Sequence, residues 1–205
     1  MIEPREALDL LDWKRRIFEL YAEVRGVEPR AGWERWRAGR DDLFRAHPQS
    51  PLPRERRGGF EGLDVYDYDE RFRVAGALRP APVQELRLPS SRDEEMVLTR
   101  LGSVVFRLDG RTCTLDVFWV GGYGGGLFLP FRDATSGGAT YGAGRYLYDT
   151  IKGADLGTTE AGDLVLDFYF AYNPSCAYDP RWSCPLAPPG NLLELPVEAG
   201  ERTPS

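Results

Sequence analysis

Two predicted strands in the last third of the chain carry a cation and an anion that could meet. In the segment 140–148, Tyr141 and Arg145 share a face, and in the segment 163–170, Asp167 lies opposite the apolar side chains. If these strands are neighbours, Arg145 and Asp167 pair or jointly line a concavity, where a guanidinium offers a planar fork to a carboxylate or phosphate. A structural Arg–Asp bridge would explain the same residues without a ligand.

A polar turn precedes the first of these segments. Asp133, Thr135 and Ser136 place acceptors and hydroxyls beside Gly137 and Gly138. Asp, Ser and Thr side chains often cap their own backbone in such turns, which would account for the composition without any function. The functional alternative is a nest of backbone N–H groups that holds an anion near the arginine.

Cys176 and Cys184 flank a short loop rich in proline, and several chemistries compete for them. A disulfide would contribute about 2 to 3 kcal/mol in the chain-entropy model, although a reducing compartment would disfavour it. A nucleophilic thiol requires a base or cation beside it, which His47 or Arg145 would have to supply. Zinc requires four ligands, so His47 and Cys113 would have to complete the set. Two ordinary packed thiols are a further alternative, and a disulfide or redox-linked pair is the leading interpretation.

His47 is the single histidine of the chain, and it stands directly before Pro48. A loop residue ahead of a proline is the simple interpretation. Proton transfer or ligand binding is the alternative, because imidazole titrates near neutral pH.

Two amphipathic helices are predicted before the strands. Apolar residues spaced by three and four predict a helix from Glu3 to about Val24: Leu10, Trp13, Ile17, Leu20 and Val24. A second helix should follow Pro29 and end before His47, because a residue that precedes proline avoids the α region. Its apolar side chains are Trp33, Trp36, Leu43 and Phe44. We interpret this aromatic stripe as core contact, with a stacking platform for bases or sugars as the alternative.

From Leu63 onward the apolar period falls to two, which is typical of antiparallel strands. Asp109 and Gly110 favour a type I′ turn, so a hairpin register follows. It pairs Leu108 with Arg111, Arg107 with Thr112, Phe106 with Cys113, Val105 with Thr114 and Val104 with Leu115. Cys113 then faces the core. Further strands are expected at 127–132, 140–148, 163–170 and 192–197.

The order of these elements predicts an α+β fold that is mainly β. We expect an antiparallel β sandwich or barrel with the two N-terminal helices packed on one side. The 205 residues suit one domain, 1–205, with a helical segment at 1–48 and a β domain at 60–200.

The amino-acid composition limits the kinds of partner that can be expected. The net charge of −6 offers no basic surface for a phosphate backbone, so nucleic acid is not expected. The N-terminus lacks a signal-like pattern, and no apolar run approaches the ~20 residues that span a bilayer. A soluble, cytoplasmic protein without membrane contact is therefore the expectation.

A family resemblance is carried by FRDATSGGATYGAGRY, by DFYFAYNPSCAYDPRWSCPLAPPGN and by the closing EAGE. These segments resemble an uncharacterised bacterial and archaeal family, domain of unknown function sixteen eighty-four. SPL, FEGLDVYDYDERFRV and LGSVVFRLDG fit the same family. The resemblance implies a shared fold and brings no established reaction. Where the family usually has Asp-Phe-Asn, this chain has Asp167, Phe168 and Tyr169.

The sequence thus favours a binding module for a small polar or anionic ligand. The predicted ligand-binding residues are Asp133, Thr135, Tyr141, Arg145, Asp167 and Asn173, with Asp167 orienting the arginine. One alternative is a hydrolase or transferase that uses Asp167, Cys176 or Cys184, and another is a structural or partner-binding domain. Neither a cofactor nor a metal is expected, and the sequence does not define the oligomeric state.

Overall fold

The fold, seen in a computed structural model that describes residues 3–92, 95–122 and 124–204, begins with two long helices. Residues 1, 2, 93, 94, 123 and 205 of the predicted domain lie outside the described residues. Helix α1 spans Pro4–Arg25 and α2 spans Pro29–Ala46, which confirms both predicted helices. Each starts with a proline, whose fixed φ and missing N–H suit a first helical turn. A one-turn helix, α3, follows at Arg54–Arg57.

In the part of the chain that the structure describes, seven strands form one sheet. They are β1 Arg73–Pro89, β2 Glu95–Leu108, β3 Arg111–Val120, β4 Gly126–Asp133, β5 Arg145–Asp149, β6 Leu164–Asp167 and β7 Leu192–Leu193. The order across the sheet is β5-β4-β3-β2-β1-β6, and these neighbours are all antiparallel. The short β7 pairs with β4 in parallel.

The β2–β3 hairpin has the register that its turn predicts. Asp109 and Gly110 both have positive φ, as a type I′ turn requires. All five predicted pairs are present, from Leu108 with Arg111 to Val104 with Leu115. Cys113 is 6% exposed, so its predicted place in the core is also confirmed.

The two ends of the strand order meet, so the sheet forms a nearly closed barrel. Tyr146 in β5 exchanges two backbone hydrogen bonds with Tyr172, which follows β6, at 2.9 and 3.1 Å. The Tyr148 hydroxyl donates to the carbonyl of Val165 in β6 at 2.7 Å. Of the two predicted β architectures, the barrel is therefore the one that forms.

Both helices pack on this barrel through their apolar faces. Trp36 of α2 is fully buried and meets Phe170 edge-on, with 5.3 Å between ring centroids. Tyr21 of α1 lies 6.3 Å from the same ring. Burial of each large ring contributes roughly 1.5–3 kcal/mol, which ties the helices to the sheet. The interpretation of the aromatic stripe as core contact is confirmed.

Three predicted strands were too long. The segment 140–148 becomes a strand only at Arg145, because Gly144 has a φ of +98° and turns the chain. The segment 163–170 leaves the sheet after Asp167, whose carboxylate accepts the Tyr169 N–H at 3.1 Å and caps a one-turn 3-10 helix. The segment 192–197 contributes only Leu192–Leu193.

Helices in the described part of the chain are too short or too polar to cross a bilayer.

Candidate functional site

Arg145 lies inside the protein, only 1% exposed. Its Nη2 donates to the Asp133 carboxylate at 2.8 Å and to the Val197 carbonyl at 3.0 Å. Its Nη1 donates to the carbonyls of Ala199 and, at 3.2 Å, Glu201. Both terminal nitrogens are thus occupied by the protein itself. Arg145 ties β5 to the C-terminal segment and is not open to a ligand, contrary to its predicted role.

The turn after β4 satisfies its own polar groups. The Asp133 carboxylate accepts both the backbone N–H and the hydroxyl of Thr135, at 2.8 and 2.6 Å. It also accepts the Val197 N–H at 3.2 Å. The capping interpretation of this turn is confirmed, and the Asp133 and Thr135 side chains are committed to it.

Asp167 is fully buried at the end of β6. It accepts the Tyr68 hydroxyl at 3.2 Å and pairs with Arg73 at 3.3 Å. Burial raises the pKa of Asp167, whereas the Tyr169 N–H and Arg73 act in the opposite direction. The predicted pairing with Arg145 is wrong, because Arg145 is bound to Asp133 whereas Asp167 is bound to Tyr68 and Arg73.

A second buried ion pair joins α2 to the C-terminal segment. Arg40 Nε donates to the Glu201 carboxylate at 2.9 Å, and Nη2 donates to the same oxygen. The other oxygen of Glu201 accepts the Asn173 N–H at 2.7 Å and the Tyr178 hydroxyl at 2.8 Å. Asn173 therefore belongs to the surroundings of Arg40 and Glu201.

Beside this pair lies a cavity of about 50 Å³ between the helices and the barrel, which we term the junction cavity. The helices line it with Trp13, Ile17, Tyr21, Arg40 and Phe44. The barrel side contributes Tyr146, Lys152, Ala154, Tyr172, Asn173, Pro174 and Ser175. The remaining lining residue is Pro51. Apolar and aromatic side chains form most of this lining, with a few polar groups among them, which is a composition typical of small-molecule sites.

Three hydrogen-bond donors in the lining can make further hydrogen bonds. Nη1 of Arg40 has no hydrogen-bond partner among the described residues and is not sealed from solvent. The Tyr21 hydroxyl accepts from Trp36 Nε1 at 3.1 Å, so its own proton is available, and burial raises its pKa above the usual range. Lys152 is half exposed, with Nζ 3.6 Å from the carboxylate of Asp149. The lining therefore offers these three donors, together with one buried acceptor that has no described partner, Asn173 Oδ1.

Sequence reasoning missed Arg40 and Glu201. Arg40 stands four residues after Trp36 on the apolar face of α2, and a charge in that stripe is a signal for a buried pair. Its partner had no comparable signal, because Glu201 lies 161 residues away in an irregular segment.

Cys176 and Cys184 meet near the outside of the barrel. The Cys176 N–H donates to Cys184 Sγ at 3.4 Å, and Tyr141 Oη lies 3.9 Å from Cys176 Sγ. Both cysteines are free thiols, with Cys176 partly exposed and Cys184 buried. Tyr141 therefore contacts the thiols and not Arg145.

The two thiols differ electrostatically. A hydrogen bond from the Cys184 thiol lowers the pKa of Cys176 to about 6, with further donors at Ser91 and Tyr141. The same bond and burial raise the pKa of Cys184 above its usual range. Burial also raises the pKa of Tyr141 to about 12, so that hydroxyl stays protonated as a donor. Cys176 is thus the sulfur that ionises first.

His47 stabilises a helix end. It follows α2 and is 6% exposed, with Nδ1 accepting the Gln49 N–H at 3.0 Å. Nε2 must then carry the proton toward Asp12, 3.2 Å away. The imidazole is thereby committed to local hydrogen bonds, as the simple interpretation held.

No group of three His, Cys, Asp or Glu residues suited to a metal occurs in the part of the chain that the structure describes.

Comparisons with known proteins agree with the fold. A family model described as Protein of unknown function (DUF1684) matches residues 58–202. The solution NMR structure of an uncharacterized protein from gene locus rrnAC0354 of Haloarcula marismortui is 37% identical, with a TM-score of 0.59, over 82% of this chain and 90% of that one. None of the curated proteins matches. Because the family model covers well over half of the sequence, the chain belongs to the family described as Protein of unknown function (DUF1684).

Proposed function

We propose that this protein is a binding domain whose junction cavity holds a small organic ligand with an anionic group and an apolar body. The anionic group is received by Arg40 and Lys152, with the Tyr21 hydroxyl as a further donor. The apolar body lies against the rings of Trp13 and Phe44. The proposed ligand is still small and polar or anionic, as the sequence predicted. The arginine that binds it in this proposal is Arg40 and not Arg145.

The unused donor of Arg40 carries this proposal. A buried guanidinium is costly to desolvate, and Glu201 occupies only two of its three nitrogens. The remaining N–H groups of Nη1 therefore favour an acceptor inside the cavity. A carboxylate or phosphate matches a guanidinium better than a neutral acceptor does, because charge-assisted hydrogen bonds are roughly twice as strong.

The cation itself is held rigidly. The Arg40 guanidinium lies 5.0 Å from the ring centroids of Trp36 and Tyr172 and 5.1 Å from that of Phe44. Such cation–π contacts fix the plane of the Arg40 guanidinium. A ligand then binds with a smaller loss of side-chain entropy, because this side chain is already ordered. A preorganised donor of this kind supports recognition of a ligand.

The lining supports binding over catalysis. Its thirteen residues include Ser175, Tyr21 and Lys152, but no carboxylate, imidazole or thiol side chain. An enzyme would be expected to place a nucleophile and a base within hydrogen-bond reach in one cleft. The alternative reaction through Asp167 has no support from the cavity, because Asp167 lies outside the lining and is bound to Tyr68 and Arg73.

Thermal-shift assays with paired probes test this function. Benzoate and phenyl phosphate should raise the melting temperature, whereas benzamide and benzyl alcohol should not, because only the first two carry an anionic group. Lys152→Met should weaken benzoate binding by about threefold to tenfold, or on the order of 1 kcal/mol.

Lys14→Met is the matched control, since Lys14 is the only other lysine and does not line the junction cavity. It should bind benzoate as the wild type does. Equal shifts with benzoate and benzamide, or equal losses in both lysine variants, would exclude an anion-selective cavity.

A further inference from the structure

The two C-terminal cysteines form a second candidate site, separate from the junction cavity. Neither Cys176 nor Cys184 lines that cavity, and the third cysteine, Cys113, is buried in the barrel. The pair is built by two segments: the one-turn 3-10 helix Ser175–Ala177 and the proline-rich loop that returns to Ser90 and Ser91.

The two cysteines are held as direct neighbours. Cys184 Sγ accepts the Cys176 N–H at 3.4 Å. The Cys184 N–H is itself fixed to Ser91 Oγ at 3.1 Å. These contacts orient Cys184 toward Cys176 before any bond forms between them.

The environment of the pair is asymmetric. Cys176 is partly exposed, with the Tyr141 hydroxyl 3.9 Å from its sulfur, whereas Cys184 is 2% exposed. A small oxidant can therefore reach the first sulfur but not the second. The Tyr141 hydroxyl beside this sulfur and the lowered pKa of Cys176 both favour its thiolate, which is the nucleophilic form.

We propose that Cys176 and Cys184 are a redox-active dithiol that reduces hydroperoxides, with Cys176 as the attacking sulfur and Cys184 as the resolving one. The Cys176 thiolate attacks the terminal peroxide oxygen, the O–O bond breaks, and the alkoxide or hydroxide leaves and takes up a proton. Cys176 is thereby oxidised by two electrons to a sulfenic acid.

The second step closes the disulfide. Cys184 sulfur attacks Cys176 sulfur, the S–O bond breaks, and the departing hydroxide takes the Cys184 proton and leaves as water. Two thiols and one hydroperoxide thus become one disulfide, one alcohol and one water. An external dithiol returns both sulfurs to the reduced form by thiol–disulfide exchange.

Peptide mapping of the wild type after one equivalent of hydrogen peroxide tests the site. Two of the three thiols should be lost, the chain should lose two hydrogen atoms in mass, and a peptide linking Cys176 to Cys184 should appear. Dithiothreitol should restore all three thiols. A chain that keeps three thiols under these conditions would overturn the proposal, whatever the variants do.

Serine variants assign the two roles. Cys184→Ser should stop at the sulfenic acid, which dimedone traps on Cys176, and Cys176→Ser should react at least about tenfold more slowly. Cys113→Ser is the matched control and should oxidise as the wild type does. Dimedone labelling of Cys184 in Cys176→Ser at the wild-type rate would contradict the assignment.

Discussion

Two buried guanidinium–carboxylate pairs, Arg145 with Asp133 and Arg40 with Glu201, have different roles because their remaining donors differ. Backbone carbonyls and Asp133 occupy both terminal nitrogens of Arg145, and its Nε has no described partner but is sealed inside the protein. Arg40 keeps Nη1 without a described partner at the wall of the junction cavity. Sequence alternation selected Arg145, but it could not show which of two arginines retains a donor, since that depends on contacts far along the chain.

Arg145→Met should strongly destabilise the fold. It leaves the buried carboxylate of Asp133 without its cation, which costs roughly 3–5 kcal/mol in the free energy of unfolding. Arg87→Met is the control, because Arg87 and Glu95 are 71% and 65% exposed and such a pair contributes roughly 0–1 kcal/mol. Urea denaturation measures both variants, and similar losses would contradict a structural role specific to Arg145.

Alkylation of Cys176 should depend on pH through its lowered pKa. The thiolate is the reactive form, so the rate of reaction with iodoacetamide should rise through about pH 6 and be nearly level by pH 8. The titratable groups that face the pair are Cys184 and Tyr141, with Tyr146 and Lys152 close enough to influence it. Cys113 is the internal control, since burial raises its pKa and shields it. A rate for Cys176 that rises only above pH 8 would contradict the assignment.

The sequence predicted helix starts and a hairpin register where a few neighbouring residues determine them. Asp109 and Gly110 fix the β2–β3 register, and prolines mark the starts of α1 and α2. Strand length was predicted less well, because an alternating pattern does not reveal where a strand leaves the sheet. Before Arg145 the chain turns at Gly144, and beyond Asp167 a side-chain cap starts a 3-10 helix in which Phe168 and Phe170 are both buried.

Gly144→Ala should destabilise the entry to β5 by roughly 1–3 kcal/mol, because the left-handed φ of +98° is strained for any side chain. A Cβ there would also lie 2.6 Å from the Phe131 carbonyl oxygen. Gly138→Ala in the same loop is the control, since its Cβ would meet nothing closer than 3.5 Å. Chemical denaturation of both variants measures the difference, and a neutral Gly144→Ala would contradict this account of where β5 begins.

The junction cavity belongs to the molecule as a whole, since no single element encloses it. The family model begins at residue 58, whereas Trp13, Arg40 and Phe44 come from the helices before it. Arg40 meets Glu201 across 161 residues, and no periodicity in the sequence encodes a contact of that span. The barrel with helices on one side was therefore predictable from patterns, and the cavity between them was not.

A double-mutant cycle should show that α2 and the C-terminal segment stabilise each other. Arg40→Met and Glu201→Gln should each cost roughly 3–5 kcal/mol, because each removes one partner of a buried pair. In the double variant the free energy of unfolding should fall by less than the sum of the two single losses, by at least about 1 kcal/mol. The reason is that both single variants remove the same interaction. Urea titrations of the four proteins give the coupling energy, and strict additivity would contradict a direct ion pair.

An NMR titration that follows the arginine side chains would decide whether the junction cavity receives an anion. With benzoate, the guanidinium resonances of Arg40 should shift in a saturable way, together with the ammonium group of Lys152, and benzamide should leave both unchanged. Arg145 serves as an internal reference, because its terminal nitrogens are already bound to Asp133 and backbone carbonyls. Unshifted Arg40 resonances at benzoate saturation, or equal shifts at Arg40 and Arg145, would contradict the proposed site.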